Sequence, residues 1–163
     1  MKHIGYAYVV GDLLHKGHRL HLKNCKALCD YLIVGVLSEK AVMEKKPAPI
    51  QSLSDRIEAV ADLKYVDCAV CQDQYSPLEN CKALRPDILF ESSSHKEMPA
   101  NNYMKSIGSQ VIVMPYYSEE SSTKLKEKIK NEIPNNCIHD TSGRVCRVGN
   151  EQESYTNARP DKT

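Results

Sequence analysis

The sequence lacks several features that would place it in a specialised class of protein. It has no tryptophan, a single phenylalanine and only 7 glycines in 163 residues. Neither charge is in excess, since 22 lysines and arginines stand against 21 aspartates and glutamates. This net charge of +1 argues against a dedicated nucleic-acid-binding or membrane-surface protein, which usually carries a strong basic excess. With 26% charged and 41% hydrophobic residues, the composition excludes a disordered, coiled-coil or collagen-like chain and predicts a globular one.

Long hydrophobic segments are also missing. No apolar run approaches the roughly 20 residues that a membrane-spanning helix needs, and the N-terminus lacks the apolar region and cleavage site of a signal peptide. We therefore expect a cytoplasmic protein without a membrane span, whose 7 cysteines stay reduced. Cys25 and Cys29 lie on the apolar face of a predicted helix, and Cys68 and Cys71 lie in a predicted strand. Buried thiols are therefore favoured over a zinc site.

Short apolar strands alternate with amphipathic helices along most of the chain. The predicted strands are Ile4–Val10, Tyr31–Leu37, Tyr65–Cys71, Ile88–Glu91 and Val111–Met114. This alternation predicts an α/β fold, a Rossmann-like parallel five-stranded sheet flanked by helices on both faces. The length predicts one such domain over residues 1–132. Residues 133–163 are polar with little periodicity, so we expect a C-terminal tail that is flexible or draped over the surface.

The turn after the first strand carries the clearest chemical signal. It reads Gly11-Asp12-Leu13-Leu14-His15-Lys16-Gly17-His18, so two histidines flank a glycine immediately before a helix. The N-terminus of a helix offers unpaired N–H groups and a partial positive charge. Gly17 allows close approach of the backbone to a ligand, and His15 and His18 can donate hydrogen bonds to phosphate oxygens. Because ligands bind at the carboxyl ends of parallel strands, the turn predicts a phosphate site at that edge.

Three further groups of residues lie where they could serve the same site. Ser121, Ser122 and Thr123 precede the last predicted helix, where hydroxyls and backbone N–H groups can hold phosphate, although an ordinary helix cap has the same composition. Lys46 follows the second strand in a proline-containing loop, and Arg56 lies near the start of the next helix. Taken alone, each of these two side chains is more often a solvated surface residue.

Together these segments resemble the signatures of the HxGH nucleotidylyltransferase superfamily. Residues 12–18 are similar to its D-L-x-H-x-G-H motif, and the cytidylyltransferases for glycerol 3-phosphate, choline phosphate and ethanolamine phosphate are the most similar branch. Lys46 resembles the lysine of a flexible loop in these enzymes. Asp55-Arg56 and Lys64-Tyr65-Val66-Asp67 resemble their E-R and R-Y-V-D segments, and residues 121–124 resemble the signature that opens the last helix. The resemblance covers most of the first 131 residues.

The resemblance implies an enzyme that transfers CMP from CTP to a small phosphate or phosphonate acceptor and releases pyrophosphate. It implies that His15, His18 and Lys46 are catalytic, and that Asp12, Lys46 and Arg56 bind the acceptor. The implied nucleotide-binding residues are Val10, Gly11, Asp12, His15, Gly17, His18, Ser121, Ser122 and Thr123. Mg²⁺ is the implied cofactor, held mostly by phosphates and water rather than by protein ligands. A homodimer is the implied assembly.

The sequence departs from the family pattern where the base, the ribose and the acceptor would bind. Tyr116 stands in place of an arginine, and Glu91-Ser92-Ser93-Ser94-His95 replaces a G-D-D-W segment after the fourth strand. These departures favour a less usual acceptor, such as a phosphonate. Two alternatives to a cytidylyltransferase stay open: an adenylyltransferase of the same superfamily, and a nucleotide-binding protein without turnover.

Overall fold

A computed structural model describes residues 2–93, 98–115, 124–127, 137–139 and 145–147 of the chain. The chain divides into two compact units, Met1–Leu125 and Lys126–Thr163. The predicted boundary, between residues 132 and 133, lies a few residues further along the chain. No helix in the described ranges is long and apolar enough to cross a membrane.

The first unit is built on a five-stranded parallel sheet. Its strands are β1 (Ile4–Val9), β2 (Tyr31–Leu37), β3 (Cys68–Gln72), β4 (Ile88–Ser92) and β5 (Gln110–Met114). They lie in the order β3-β2-β1-β4-β5, which confirms the predicted fold class. The strand order reverses between β1 and β4. In open α/β sheets the ligand crevice lies at the carboxyl ends of the strands at this reversal.

Helices cover both faces of the sheet. They are α1 (Lys16–Lys26), α2 (Glu39–Met43), α3 (Leu53–Ala61), α4 (Leu78–Leu84) and α5 (Pro99–Ser106). Leu22 of α1 and Val60 of α3 belong to the hydrophobic core on one face, whereas Cys81 of α4 and Met104 of α5 belong to the core on the other. Because side chains alternate along a strand, β1 and β4 supply apolar residues to both cores.

The second unit contains regular structure that the sequence analysis does not predict. Strands β6 (Cys137–His139) and β7 (Val145–Arg147) pair antiparallel, within a segment expected to be a tail. Strands of three residues are too short to display a period of two above a polar background, so the pattern could not reveal them. Of the last predicted helix, Thr123–Asn131, residues 124–127 are helical and the others lie outside the described residues.

Candidate active site

His15 begins helix α1 as its N-cap residue. Its backbone is extended, with φ −109° and ψ 175°, and its Nδ1 accepts a hydrogen bond from the Gly17 amide at 3.1 Å. The usual N-cap residues supply a side-chain oxygen for this purpose, and here a ring nitrogen takes that role. Because Nδ1 accepts, the proton of a neutral His15 ring lies on Nε2. The helix cap therefore orients His15 as a hydrogen-bond donor through Nε2.

His18 lies one turn along the helix and stacks on His15. The two ring centroids are 3.9 Å apart, with an angle of 33° between the ring planes. Burial, together with the charges of the neighbouring His15, His21 and Lys46, lowers the pKa of His18 to about 3. The ring is therefore neutral at physiological pH. Its Nδ1 is buried without a hydrogen-bond partner in the described part of the molecule, which marks His18 as a group that gains from binding a polar ligand.

Lys46 approaches this pair of histidines from the loop after α2. It is exposed, and it lies near enough to His18 for its charge to lower the pKa of that ring. The Lys46 amide donates to the carbonyl of Val42 at 2.9 Å, so the end of α2 fixes the start of the loop. The structure thus brings the three predicted catalytic residues to the same edge of the sheet.

Asp12 fastens the far end of the same loop. Its buried carboxylate accepts hydrogen bonds from the amides of Ile50 at 3.1 Å and Gln51 at 3.0 Å. The Leu13 amide in turn donates to Gln51 Oε1 at 2.8 Å. These contacts join the turn after β1 to the loop that carries Lys46. Because its oxygens face the protein backbone, Asp12 fits a positioning role better than the predicted direct contact with the acceptor.

Arg56 has a different place from the one expected. Its side chain is fully buried, and Nη1 donates to the carbonyls of Val10, at 2.7 Å, and Leu37. Nε donates to the carbonyl of Gln51 and Nη2 to Glu39 Oε1, each at 3.1 Å. The guanidinium therefore ties the ends of β1 and β2 to the Lys46 loop. The structure corrects the expectation that Arg56 binds the acceptor, because the side chain has no exposed surface with which to contact it.

The other predicted nucleotide-binding residues fall into two groups. Val10, Gly11 and Gly17 belong with the histidines to one continuous turn at the carboxyl end of β1, and Gly11 has φ +72°, which glycine adopts without steric cost. The Gly17 amide serves the His15 cap. The second group, Ser121, Ser122 and Thr123, lies outside the described residues.

A polar pair, half-buried Tyr8 and buried Glu91, is absent from the predicted site. Glu91 is fully buried near the end of β4, and its Oε2 accepts a hydrogen bond from Tyr8 Oη at 2.7 Å. Burial raises the pKa of Glu91 to about 7. Its Oε1 has no partner in the ranges that the structure covers. One feature of the sequence could have identified Glu91. A carboxylate follows directly on the apolar residues Ile88-Leu89-Phe90 within a predicted strand that is buried on both faces.

Metal-ligating side chains do not cluster in the residues described. No group of three or more His, Cys, Asp or Glu residues there could hold a metal ion. The cysteines at 25, 29, 68, 71 and 81 are free thiols. Cys25 and Cys81 are buried in the two hydrophobic cores, where a thiol packs as a small apolar group.

Comparison with known proteins identifies the family. The model of the cytidylyltransferase-like family matches residues 11–133, which begin at the turn after β1 and include the Lys46 loop. This chain belongs to the cytidylyltransferase-like family. As a cytidylyltransferase-like protein it is a member of the nucleotidyltransferase superfamily, in agreement with the resemblance seen in the sequence.

Relatives of this cytidylyltransferase-like protein include the bifunctional protein HldE of two bacteria. HldE of Helicobacter pylori (strain P12) is 37% identical over 123 residues, and HldE of Campylobacter fetus is 32% identical over 123 residues. Each match covers 73% of this chain and 26% of the relative, so the chain spans about a quarter of the length of these curated relatives. Among solved structures, the lipopolysaccharide core biosynthesis protein from Thermoplasma volcanium has the same fold, with a TM-score of 0.63 and 24% identity. That match covers 74% of this chain and 100% of the other.

Proposed function

We propose that this protein transfers a nucleotidyl group from a nucleoside triphosphate to a small phosphate or phosphonate acceptor and releases pyrophosphate. The observation that carries the proposal is the stacked pair His15 and His18 at the start of α1, beside Lys46. The two histidines supply hydrogen-bond donors, the helix N-terminus supplies partial positive charge, and the lysine supplies a full one. This combination suits a polyphosphate.

The reaction is an in-line displacement at the α-phosphorus. An oxygen of the acceptor forms the new bond to phosphorus, while the bond to the bridging oxygen of pyrophosphate breaks. A phosphate monoester has a second pKa of about 6, so the nucleophile is already an anion near neutral pH and needs no strong general base. Catalysis then rests on positioning the two reactants and on stabilising the charge that develops in the transition state.

Each residue of the proposed site has a separate role. His15 donates through Nε2 to the triphosphate, and His18 donates from a ring that stays neutral beside Lys46. Lys46 neutralises the α-phosphate and the incoming acceptor. Asp12 and Arg56 fix the position of the turn relative to the Lys46 loop through hydrogen bonds to the backbone, and they do not contact the reactants. Ser122 and Thr123 are proposed to bind the β- and γ-phosphates.

Mg²⁺ and a homodimer complete the proposal. Mg²⁺ usually keeps several waters and binds through one or two carboxylates plus substrate phosphates, so a dedicated cluster of protein ligands is not required for it. Bound with the triphosphate, Mg²⁺ would supply positive charge to the phosphates, in addition to the donors and charge of His15, His18 and Lys46. Chelation by EDTA should then abolish turnover. The homodimer stays a prediction from the family resemblance.

The base of the nucleotide is proposed to be cytosine, with adenine as the alternative. The description of the matching family names cytidylyl transfer. The HldE relatives, at 32% and 37% identity, carry no base in their name. The described site residues contact phosphates in this proposal and read no base, so CTP and ATP must be compared directly.

The test is pyrophosphate release with Mg²⁺, either CTP or ATP, and a panel of acceptors. The panel holds glycerol 3-phosphate, phosphocholine, phosphoethanolamine, 2-aminoethylphosphonate and 2-hydroxyethylphosphonate. We expect release with one base and one acceptor. Substituting His18→Ala should lower kcat by about 10² or more, because one donor to the transition state is lost.

His3→Ala provides the matched control, since His3 is exposed at the opposite end of β1. It should leave turnover unchanged. Full activity of His18→Ala would contradict the assigned role. Tight nucleotide binding without release from any acceptor would contradict turnover on these acceptor classes and would favour the nucleotide-binding alternative.

A further inference from the structure

We propose that the Tyr8–Glu91 pair binds a hydrogen-bond donor that the acceptor carries beyond its phosphate, either a hydroxyl or an ammonium group. This inference rests on the proposed function and names a determinant of acceptor specificity. The pair takes no part in the handling of the triphosphate described above.

The position of the pair supports a ligand-facing role. Strands β1 and β4 pair in the register Gly5 with Ile88 and Tyr6 with Leu89, and two further steps place Tyr8 beside Glu91. These are the two strands between which the strand order reverses. The pair therefore lies at the carboxyl end of the sheet where a ligand crevice is expected.

Two buried acceptor atoms, one in β4 and one in the helix that follows it, lack donors among the described residues. Glu91 Oε1 has no hydrogen-bond partner among the residues that the structure describes, and the same holds for Asn101 Oδ1. Asn101 lies in the first turn of α5, the helix that follows β4, and is 8% exposed. Buried polar atoms in native proteins nearly always find a partner. The unpaired Oε1 of Glu91, at the strand reversal, therefore points to a ligand that supplies a donor.

Among the described residues, no side chain with a positive charge forms an ion pair with Glu91. Tyr8, Tyr75 and Cys81 lie close enough that the charge of Glu91 raises the pKa of each. In the described part of the chain, the hydrogen bond to the carboxylate comes from the Tyr8 hydroxyl. A ligand hydroxyl would supply the missing donor, and a ligand ammonium would supply both a donor and a charge.

Sites built around a buried acceptor discriminate strongly. They reject an analogue that lacks the matching donor, because the site's polar atoms are then left unpaired. The test therefore compares three phosphate monoesters: phosphoethanolamine, which has an ammonium group, glycerol 3-phosphate, which has hydroxyls, and n-propyl phosphate, which has neither. The readout is kcat/KM for each acceptor, together with KM for the nucleotide.

Two variants separate the possible donors. Glu91→Gln keeps an accepting carbonyl but loses the charge, and Glu91→Leu combined with Tyr8→Phe removes both polar groups. Glu79→Gln, an exposed glutamate on α4, is the matched control and should behave like the wild type. Thermal unfolding of every variant checks that it is folded. If the double variant does not fold, Glu91→Gln and Tyr8→Phe alone provide the comparison.

In the wild type we expect one donor-bearing monoester to exceed n-propyl phosphate by about tenfold or more, the ratio that one hydrogen bond of ordinary strength provides. The double variant should lose this preference while KM for the nucleotide stays unchanged. If Glu91→Gln also loses it, the donor is an ammonium group, and if Glu91→Gln retains it, the donor is a hydroxyl. A wild type without preference, or a double variant that keeps it, overturns the inference.

Failure of the proposed function is distinguishable from failure of this inference. If no acceptor releases pyrophosphate, the same three monoesters are titrated calorimetrically into the protein. Donor-dependent binding that the double variant loses upholds the Tyr8–Glu91 site even without turnover. Equal binding of the three monoesters, or binding of none, overturns it.

Discussion

At the scale of single residues, the neutral state of His18 has the most direct consequence. Burial and three neighbouring basic groups lower its pKa from 6.5 to about 3. The proposed reaction uses His18 as a neutral hydrogen-bond donor. Burial disfavours the protonated ring and therefore keeps His18 in this neutral form. The unfolded chain has no such environment, and the difference between the two states must appear as a pH dependence of stability.

The sign of this dependence follows from which state binds the proton. Below pH 6.5 the unfolded chain protonates His18 and the folded protein does not, so the free energy of unfolding falls as pH decreases from about 6.5 toward 3. At pH 5 the loss relative to neutral pH is roughly 2 kcal/mol. His18→Gln should lose less stability than the wild type between pH 7.5 and 5, by this amount.

Urea unfolding of both proteins at the two pH values measures the difference. His21, whose pKa burial also lowers, contributes with the same sign in both proteins and cancels in the comparison. Stability curves of wild type and His18→Gln that stay parallel from pH 7.5 to 5 would show that the folded protein does protonate this ring.

At the scale of elements, Arg56 of α3 links two strand ends to a loop. Most of its hydrogen bonds go to backbone carbonyls, those of Val10, Leu37 and Gln51, and the fourth goes to Glu39. Val10 and Leu37 lie at the carboxyl ends of β1 and β2, and Gln51 lies in the loop that carries Lys46. The histidine turn follows Val10 directly. A buried arginine here therefore acts on the geometry of the site through the backbone.

Two substitutions separate the backbone contacts from the ion pair. Arg56→Met leaves one buried and two partly buried carbonyls without their donor and should lower the free energy of unfolding by about 3 kcal/mol. Glu39→Gln removes only an ion-pair partner whose side chain is 44% exposed, and should cost less than about 1 kcal/mol. Denaturant titration gives both values. Equal costs would mean that the ion pair, and not the carbonyl contacts, is the main contribution of Arg56.

At the scale of the whole molecule, the proposed site joins segments that are distant in the chain. The turn after β1, the loop after α2 and the start of α3 meet through Asp12, Gln51 and Arg56. A nucleotide bound there should stabilise the unit Met1–Leu125 as a whole, because binding to the folded state shifts the folding equilibrium.

With nucleotide at a hundred times its Kd, the stabilisation should be about 2.7 kcal/mol and the rise in Tm several degrees. Differential scanning fluorimetry with CTP and with ATP measures it and compares the two bases. His18→Ala should show a smaller rise, whereas His3→Ala should match the wild type. If neither nucleotide raises Tm, then nucleotide binding by the free protein is excluded at that concentration.

The sequence predicts those parts of this protein whose information is local. Hydrophobic periodicity lies within each segment, so it predicts the five strands and the helices between them. The alternation of these strands and helices predicts the parallel sheet. The histidine turn is predictable for the same reason, since the helix start and both histidines lie within eight positions.

Other features depend on which segments become neighbours, and only the tertiary structure decides this. Arg56 resembled a ligand-facing arginine until its carbonyl partners, 5 to 46 positions away, showed it to be buried. The role proposed for Glu91 depends on its hydrogen bond with Tyr8, which lies 83 positions away in the chain and on the adjacent strand. A side chain's charge state and role depend on its burial and its partners, and those are set by packing between segments rather than by the pattern within one.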